Sequence, residues 1–407
     1  MAKKGKHITG LDIGTSKINV LISEARDDGG LDVIGLGSAH SEGVRKGAIV
    51  NLERTTEGIR RAIEEAELMA GITVDRVYAS ASGQHMKGVN SRGVIAVSNR
   101  AKGVGEQDIR RVIEGARAIP IPPDREIIHV IPQEFVVDDQ DGIGDPLGMT
   151  GSRLEASVHI VTGSRTAVQN IETCINRAGH AVAQLVVSPL AASEAVLTYD
   201  EKELGVGLLE LGGGTTGVAI FERGSPIYTA VLAVGSDNIT SDVSIGLRAS
   251  IEEAEKIKKR YGCAMTSLVS EDETFEVTGL GRTKPRVATR RLLADIIQHR
   301  VDEIFRLILE ETHTAGFDRA LNAGFVLSGG GSALEGLTEI GESILGAPVR
   351  RAVPTGIGGL VDVVKNPEYG VGVGLVLHGH AEEQKKLSRP SLSQLGERVA
   401  GWLKTLF

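Results

Sequence analysis

Hydrophobic runs separated by glycine turns open the chain and predict a mixed sheet covered by helices. Apolar strands are expected at Ile8–Ile13, Ile18–Glu24 and Leu31–Gly37. A helix is expected over Leu52–Ala70, where apolar residues recur at steps of three and four, and a short strand over Val77–Ala81. The order β-β-β-α-β is typical of a lobe that packs helices on a sheet.

After this lobe the pattern changes, which predicts an inserted α+β subdomain. Its expected elements are a strand, a helix and two further strands, at Gly93–Val97, Glu106–Ala118, Glu126–Val137 and Glu155–Val161. A helix over Thr166–Arg177 and a strand over Val182–Val187 return to the first lobe.

A second lobe opens at Gly207 and carries its own insert, which contains a helix over Ile251–Tyr261. Beyond this insert we expect a long helix, a buried strand and a short helix, at Val287–Thr312, Phe325–Leu327 and Leu334–Ile340. The globular part is expected to stop after Gly374, with a polar linker over 381–391.

Two short segments repeat one pattern: an apolar run, an acid, an apolar residue, glycine, small hydroxyl residues and another apolar run. Each predicts a strand, a tight turn and a strand, in which backbone N–H groups can approach phosphate oxygens. The acid at the strand end can hold a metal ion or its water. The candidate residues are Asp12, Gly14, Thr15, Ser16 and Lys17 in the first segment, and Glu210, Gly212, Gly213, Gly214, Thr215 and Thr216 in the second.

A third glycine cluster follows the apolar run 325–327 and comprises Gly329, Gly330, Gly331 and Ser332. Alone, it is compatible with a flexible turn or with a loop that approaches a ligand. Glu255 and Lys258 share one helix face, because they are three positions apart. A solvated ion pair and a ligand contact are both compatible with that spacing.

The last 16 residues show apolar positions at steps of three and four, which predicts one apolar helix face. From 384 to 407 five basic residues oppose one acidic residue, a net charge of +4. A basic amphipathic helix that carries tryptophan predicts an interfacial membrane anchor. The alternative is a terminal helix that packs back on the globule. The residues expected in the membrane are Leu395, Val399, Trp402, Leu403, Leu406 and Phe407.

The composition of the chain argues against several classes of protein. The net charge of −8 and the 3% of aromatic residues over 407 positions argue against a nucleic-acid-binding protein. Two cysteines cannot form a disulfide framework, which favours a cytosolic protein. The basic start lacks the apolar stretch of a secretory signal.

The order of the three glycine turns is similar to that of the actin, DnaK-type chaperone and sugar-kinase superfamily. Within it, Ile131–Phe135, Gly142–Gly151 and Gly205–Gly207 resemble the FtsA family of bacterial division proteins, and the likeness runs from about residue 7 to the C-terminus. The resemblance implies an α/β, actin/DnaK-type two-lobed fold with duplicated ribonuclease H-like lobes, an FtsA-type inserted α+β subdomain and a C-terminal amphipathic helix. The implied parts are a first lobe (1–84, 163–193 and 366–380), its inserted subdomain (85–162), a second lobe (194–225 and 301–365), its insert (226–300), a linker (381–391) and a membrane-targeting helix (392–407).

The resemblance also implies a function. Members bind ATP with Mg²⁺, here with Asp12 near the metal and with Glu255 and Lys258 at the ribose and adenine. They tether FtsZ polymers to the inner face of the cytoplasmic membrane at the division site and help to assemble the septum. Implied partners are the FtsZ C-terminal peptide, further copies of the chain in an actin-like polymer, anionic lipid and later division proteins. The peptide is expected on the second insert, at Arg286, Arg290, Arg291 and Arg300.

Departures from the family pattern bear on the chemistry. The chain has Glu210 and Gly217 where the family usually or often has Asp, and Ser188 where hydrolysing bacterial actins have a Glu that orients the attacking water. A hydroxyl is a poor base, so we expect tight nucleotide binding and at most a slow ATPase. Two alternatives are a pilus-assembly actin-like protein, which shares the insert, and a sugar-kinase-type phosphotransferase, which would need a catalytic Asp near the second turn.

Overall fold

The structure, a computed structural model, describes residues 7–279, 285–314, 316 and 321–388. The first lobe opens with β1 (His7–Ile13), β2 (Lys17–Ala25), β3 (Leu31–His40), β4 (Val44–Arg45), β5 (Ala48–Ile49), α1 (Leu52–Ala70) and β6 (Arg76–Ala81). The predicted bounds of α1 are confirmed. The Asn51 side chain accepts the N–H of Arg54 at its start, and Gly71, at φ 68°, ends it in the left-handed conformation.

The inserted subdomain follows, and then the chain returns to the first lobe. The subdomain comprises β7 (Lys87–Ala96), α2 (Glu106–Arg117), β8 (Arg125–Val137), β9 (Gln140–Ile143) and β10 (Arg153–Ser164). The returning segment comprises α3 (Arg165–Arg177), β11 (Ala181–Val187) and α4 (Ser188–Val196).

The second lobe and its insert fill the rest of the chain up to a last helix. They comprise α5 (Tyr199–Leu204), β12 (Val206–Leu211), β13 (Thr216–Glu222), β14 (Ser225–Leu232), α6 (Ser236–Gly246), α7 (Ile251–Tyr261), β15 (Thr274–Val277), β16 (Arg286–Thr289), α8 (Arg290–Thr314), β17 (Phe325–Ser328), α9 (Leu337–Leu345), β18 (Val349–Arg351), β19 (Gly358–Gly359), α10 (Val361–Val364) and α11 (Gly370–Ser388).

Three predicted bounds in this half were wrong. β14 pairs with β13 as a strand of the lobe itself, so the second insert begins after Leu232 and not at Pro226. The long helix begins at Arg290, because the residues before it form β16 and pair with β15. The short helix after the third glycine cluster begins at Leu337, since Gly330–Ala333 forms a 3₁₀ turn.

The two lobes share one strand arrangement within the described residues. The first lobe's sheet has the order β11-β6-β1-β2-β3-β19, and the second lobe's strands have the order β18-β17-β12-β13-β14. In each lobe, three consecutive strands pair antiparallel. Two later strands then add to the edge formed by the first of these three, and both run parallel to it. The β1–β2 and β12–β13 turns therefore occupy equivalent places in the two lobes. All six residues of β12 are buried, as expected for a strand covered on both faces.

The inserted subdomain continues the second lobe's sheet. Its strands have the order β7-β10-β8-β9, and β7 joins β14 through the pair Lys87–Ala230. α2 covers this extension closely, because Gly93 carries no side chain. A Cβ at Gly93 would lie 2.3 Å from the carbonyl oxygen of Val112 on the helix. The insert is thus built onto the sheet and is not a tethered appendage.

The expected stop after Gly374 and the linker over 381–391 were wrong for the described part of that segment. α11 runs without a break from Gly370 to Ser388 and packs on α4 and β1. Its glycines permit the close contact: a Cβ at Gly374 would lie 1.8 Å from the carbonyl oxygen of Ala191. Near its end, Glu383 accepts a hydrogen bond from the Tyr78 hydroxyl and pairs with Arg76. Tertiary packing here outweighs the low helix propensity of glycine.

Candidate functional site

A cavity of about 360 Å³ lies between the two lobes, where all three glycine clusters meet. Its volume falls in the range of small-molecule sites, roughly 300–1,000 Å³. The sequence-predicted residues that line it are Asp12, Gly14, Thr15, Ser16, Lys17, Glu210, Gly212, Gly213, Thr215, Glu255, Lys258, Gly329, Gly330 and Gly331.

Three predicted residues support the cavity from behind its lining. The Thr216 hydroxyl donates to the carbonyl of Val234, and the Ser332 hydroxyl donates to the carbonyl of Gly329. Gly214 faces the first turn, since a Cβ there would lie 2.8 Å from Thr15 Cγ2. These residues hold the shape of the turns.

The first turn is closed by a hydrogen bond from the N–H of Gly14 to the carbonyl of Lys17, at 3.0 Å. Gly14 is required by this geometry, because a Cβ would lie 2.7 Å from that carbonyl oxygen. Asp12 is the penultimate residue of β1 and is half-buried. Its burial raises the pKa from 3.8 to about 6, and a hydrogen bond from the Ser80 hydroxyl opposes the rise.

The second turn repeats this geometry. The N–H of Gly212 donates to the carbonyl of Thr215 at 2.9 Å. Glu210 is the penultimate residue of β12, as Asp12 is of β1. Burial, and then the charge of Asp12, raise the pKa of Glu210 well above its usual value. Since the charge of Asp12 raises the pKa of Glu210, a cation placed beside the two carboxyl groups would be stabilising.

The donor set fits Mg²⁺ held together with a phosphate. Mg²⁺ takes oxygen ligands, and it is usually bound by one or two carboxylates, waters and substrate phosphates. Within the described ranges there is no group of three or more His, Cys, Asp or Glu side chains that could hold a metal by itself. Asp12 and Glu210 would therefore hold the ion only in part, and phosphate oxygens and water would complete its shell.

The far end of the cavity is built by α7 and the third glycine cluster. Lys258 is buried and pairs with Glu255 at 2.7 Å. Lys258 also donates to the Thr240 hydroxyl at 2.8 Å. Burial opposes the ionisation of Glu255, but Lys258 holds its pKa below the usual value. A fixed cation and a fixed carboxylate on one wall can orient the polar groups of a ligand.

The third cluster depends on glycine at two positions. Gly329 adopts φ 82°, in the left-handed region. A Cβ at Gly331 would lie 2.6 Å from Leu211 Cγ. At Gly330, in contrast, a Cβ would meet only the Glu368 Cβ, at an ordinary 3.5 Å. Gly330 therefore leaves open space on the cavity side.

Comparison with known proteins identifies the family. The sequence profile of Cell division protein FtsA matches residues 207–374, and that of the SHS2 domain inserted in FtsA matches residues 83–162. The chain is 43% identical over 386 residues to the cell division protein FtsA of Pseudomonas aeruginosa, which covers 95% of this chain and 92% of that protein. It is 41% identical over 402 residues to FtsA of Neisseria meningitidis, and the match covers 98% of this chain and 96% of that protein. The chain belongs to the FtsA family.

Solved structures show that this FtsA-family chain has an actin-like fold. A PilM–PilN type IV pilus biogenesis complex matches with a TM-score of 0.66 at 18% identity, covering 92% of this chain and 98% of that one. MreB5 of Spiroplasma citri bound to ADP matches with a TM-score of 0.57 at 11% identity, and the match covers 94% of this chain and 99% of that one. A MamK double helical filament matches with a TM-score of 0.53 at 13% identity, and the match covers 92% of this chain and 98% of that one.

Two of the cavity residues that sequence reasoning missed contact side chains of the first turn in this FtsA-family fold. Asp237 lies in the first turn of α6 and accepts a hydrogen bond from Ser16. The available signal for it was the polar pair Ser236-Asp237, which follows the apolar run 230–234 and one glycine. Glu368 lies 351 positions after Lys17 in the sequence, and the two side chains pair at 2.8 Å. No local pattern points to Glu368.

The four arginines predicted to bind the FtsZ peptide lie on the second insert, and each already has a partner within the chain. Arg286 donates to the carbonyl of Leu247, and Arg291 pairs with Glu271. Arg300 holds Asp242 with two hydrogen bonds, at 2.5 and 3.1 Å. Arg290 lines the cavity and pairs with Glu273 at 2.8 Å. A peptide would therefore have to compete with these internal pairs.

The predicted membrane residues lie outside the described part of the chain, as does the predicted helix 392–407 that carries them. They are Leu395, Val399, Trp402, Leu403, Leu406 and Phe407. No helix in the described ranges is both long enough and apolar enough to cross a membrane.

Proposed function

We propose that the chain is an ATP-binding, actin-like adaptor that ties FtsZ polymers to the inner face of the cytoplasmic membrane and helps to assemble the division septum. The observation that carries the nucleotide part is the cavity between the lobes, where two equivalent hairpin turns converge and each follows a strand that carries an acid with a raised pKa. The division role is supported by full-length likeness to proteins named for cell division.

ATP with Mg²⁺ is the ligand proposed for this cavity. The N–H groups of the two turns offer donors to a phosphate chain, and Asp12 and Glu210 offer oxygen ligands to the ion beside it. The solved MreB5 structures were obtained with ADP and with AMPPNP, a triphosphate analogue, in a fold of the same type. Lys258 and Glu255 would then face the nucleoside.

Hydrolysis is proposed to be slow. Ser188 lines the cavity at the first position of α4. It is buried, and its hydroxyl donates to the carbonyl of Ala81 at 3.3 Å. A serine held in this way lacks a base to activate it and is a poor activator of water. The nucleotide would therefore act mainly as a structural ligand bound between the two lobes.

Three kinds of contact are proposed for the adaptor. Self-assembly is supported by the filament-forming MamK neighbour. FtsZ peptide binding on the second insert is supported by its arginines together with exposed apolar side chains, since Ile245, Ile251 and Val287 are 76%, 57% and 67% exposed. Attachment to anionic lipid, on the cytoplasmic side and at the division site, is supported by the charge and apolar pattern of 392–407. Later division proteins would then join this assembly.

One alternative has a specific observation in its favour. The PilM–PilN complex covers 92% of this chain, with the highest TM-score among the neighbours reported above, so a pilus-assembly role shares the fold. The 43% identity to a division protein, against 18% to that complex, favours division. A sugar-kinase-type phosphotransferase would phosphorylate common sugars, which a coupled-enzyme assay would detect.

Calorimetry tests the nucleotide site directly. ATP should bind in the presence of Mg²⁺, and its affinity should fall when the metal is chelated. The Asp12→Ala variant should lose this metal dependence, because it removes a carboxylate from the ion's side of the cavity. The exposed Asp139→Ala variant is the matched control, since its side chain is fully exposed in the inserted subdomain. Equal ATP affinity with and without metal would contradict the proposed site.

A further inference from the structure

One side chain in the cavity has no role in the function proposed above. Asp237 belongs to the second lobe, and the Ser16 hydroxyl of the first lobe donates to its Oδ1 at 3.1 Å, with Oδ2 at 3.4 Å. These two residues are 221 positions apart. Their hydrogen bond joins the lobes directly across the cleft, at the level of the two phosphate-facing turns.

Asp237 is fixed to the second turn by the backbone. Its own N–H donates to the carbonyl of Gly213 at 2.8 Å, and the N–H of Ser236 donates to the carbonyl of Gly212 at 2.9 Å. The start of α6 therefore moves with the second turn. Any change in the distance between the two turns must change the distance between Ser16 and Asp237.

There is no spare room at this contact. A Cβ at Gly213 would lie 2.0 Å from Ser16 Oγ and 3.0 Å from Asp237 Oδ2. Gly213 is thus packed against both members of the pair. A phosphate group that takes the Ser16 hydroxyl as its donor has to replace Asp237 as the acceptor.

The surrounding charges make the carboxylate and a phosphate competitors. The groups whose charges act on Asp237 are Lys258, Glu255 and His40. Lys258 is already paired with Glu255 at 2.7 Å, so it is only partly available to offset a new negative charge. Burial raises the pKa of Asp237, which indicates an acidic group short of compensating charge even without a phosphate.

We propose that Asp237 is a specificity-determining residue of the nucleotide cleft. Its carboxylate occupies the place of a terminal phosphate as acceptor for the Ser16 hydroxyl and so disfavours a nucleoside triphosphate relative to a diphosphate. A diphosphate leaves the contact between Ser16 and Asp237 intact, whereas a triphosphate breaks it and separates the two turns. This inference rests on the proposed function, because it takes the cavity to be a nucleotide site.

Nucleotide affinities of two variants test the inference. Asp237→Asn keeps the size and an acceptor oxygen but removes the charge, and Asp237→Ala removes both. In each, the affinity for Mg²⁺-ATP should rise roughly tenfold relative to that for Mg²⁺-ADP, since one close like-charge contact is lost. The Glu252→Gln variant, which removes an exposed charge from α7, should leave the ratio of the two affinities unchanged.

The possible outcomes separate the two proposals. A wild-type protein that binds neither nucleotide overturns the proposed function and this inference with it. A wild-type protein that binds nucleotide, with the same ATP-to-ADP ratio in all variants, overturns this inference alone. A loss of Mg²⁺-ATP affinity in Asp237→Asn also overturns it, because the carboxylate would then assist the metal.

A second measurement does not depend on nucleotide binding. Hydrogen exchange at the amides of Gly14–Ser16 reports how firmly the first turn is held against the second lobe. In nucleotide-free protein, Asp237→Ala should speed this exchange several-fold, while amides of α2 in the inserted subdomain stay unchanged. Unchanged exchange in the first turn would show that the contact does not hold the lobes together, and would overturn the inference.

Discussion

Ser80 holds the carboxyl group of Asp12 in a fixed orientation at the wall of the cavity. Its hydroxyl donates to Asp12 Oδ1 at 2.8 Å, and its oxygen accepts the N–H of Ile13 at 2.8 Å. A half-buried carboxylate that accepts a hydroxyl donor is less solvated than it would be in water. Asp12 is therefore a group that favours ligand binding at the expense of the stability of the empty protein.

The destabilising effect of Asp12 should appear in the pH dependence of the free energy of unfolding of the ligand-free protein. The folded pKa of Asp12, about 6, lies above the ordinary 3.8, so the folded state holds the proton more tightly than the unfolded state does. The free energy of unfolding should fall as pH rises from about 4 to about 6, by roughly 3 kcal/mol from this group, and stay lower above that. Asp12→Asn should therefore be more stable than wild type at pH 8 and similar to it at pH 4.

Urea unfolding at pH 4, 6 and 8 measures the effect. The exposed Asp139→Asn variant should follow the wild-type profile, because it removes no buried charge. Parallel profiles for wild type and Asp12→Asn would contradict the assignment of Asp12 as a destabilising acid with a raised pKa.

Gly330→Val should abolish ATP binding without unfolding the protein. Its Cβ would meet protein atoms only at 3.5 Å, so the methyl groups would extend into the space expected for the nucleoside. Gly331→Val should instead destabilise the fold, because its Cβ would lie 2.9 Å from the carbonyl oxygen of Leu211. Calorimetric titration and thermal unfolding distinguish the two. Unchanged ATP affinity in Gly330→Val would remove the third turn from the site.

Ser188→Glu should raise ATP turnover. A carboxylate at the first position of α4 would line the cavity and could accept a proton from water, an effect worth roughly 10²-fold or more where geometry permits. Ser188→Gln has the same shape without the base and should not gain activity. The measurement is phosphate release under saturating Mg²⁺-ATP. A wild-type rate of about 10 per second, typical of enzymes, would contradict the adaptor role.

Binding of the FtsZ C-terminal peptide should depend on the arginines of the second insert. Arg291 is 53% exposed, so Arg291→Glu should weaken binding on the order of tenfold and leave stability nearly unchanged. Arg300→Glu should weaken binding and also lower stability, because it sets a carboxylate against Asp242. Fluorescence anisotropy with the labelled peptide measures both. Arg110→Glu on α2 is the control, and normal binding by Glu variants of all four arginines would place the site elsewhere.

The turns of the cleft could be predicted because their chemistry is local. An acid, a glycine and small hydroxyl residues between two apolar runs specify a strand, a tight turn and a strand, and the structure brings both turns and the third cluster to one cavity. The bounds of α1 followed equally from a local cap and a local glycine. These features depend on residues within a few positions of each other.

The parts that could not be predicted depend on distant contacts. α11 contains glycines that indicate a break, and only the close approach of α4 and β1 makes them favourable. β14 looked like the start of an insert, since nothing local shows that it pairs with β13. Asp237 became a site residue only when the lobes met across Ser16.

Vesicle co-sedimentation tests the central claim, that this chain connects FtsZ to a membrane, most directly. The six apolar side chains predicted for 392–407 would each contribute roughly 1.5–3 kcal/mol if fully buried, and basic residues about 1 kcal/mol each near anionic lipid. Helix ordering and partial depth reduce this sum, so binding should be reversible. The assay compares the full-length protein, the Trp402→Glu variant and a 1–391 truncation, which keeps α11 whole.

With anionic vesicles, Mg²⁺-ATP and FtsZ polymers, the full-length protein should sediment and carry FtsZ with it. Trp402→Glu and the truncation should leave FtsZ in the supernatant while binding ATP as wild type does. If the truncated protein still brings FtsZ to vesicles, or if the full-length protein sediments without FtsZ, the chain does not connect the polymer to the membrane through its C-terminal segment.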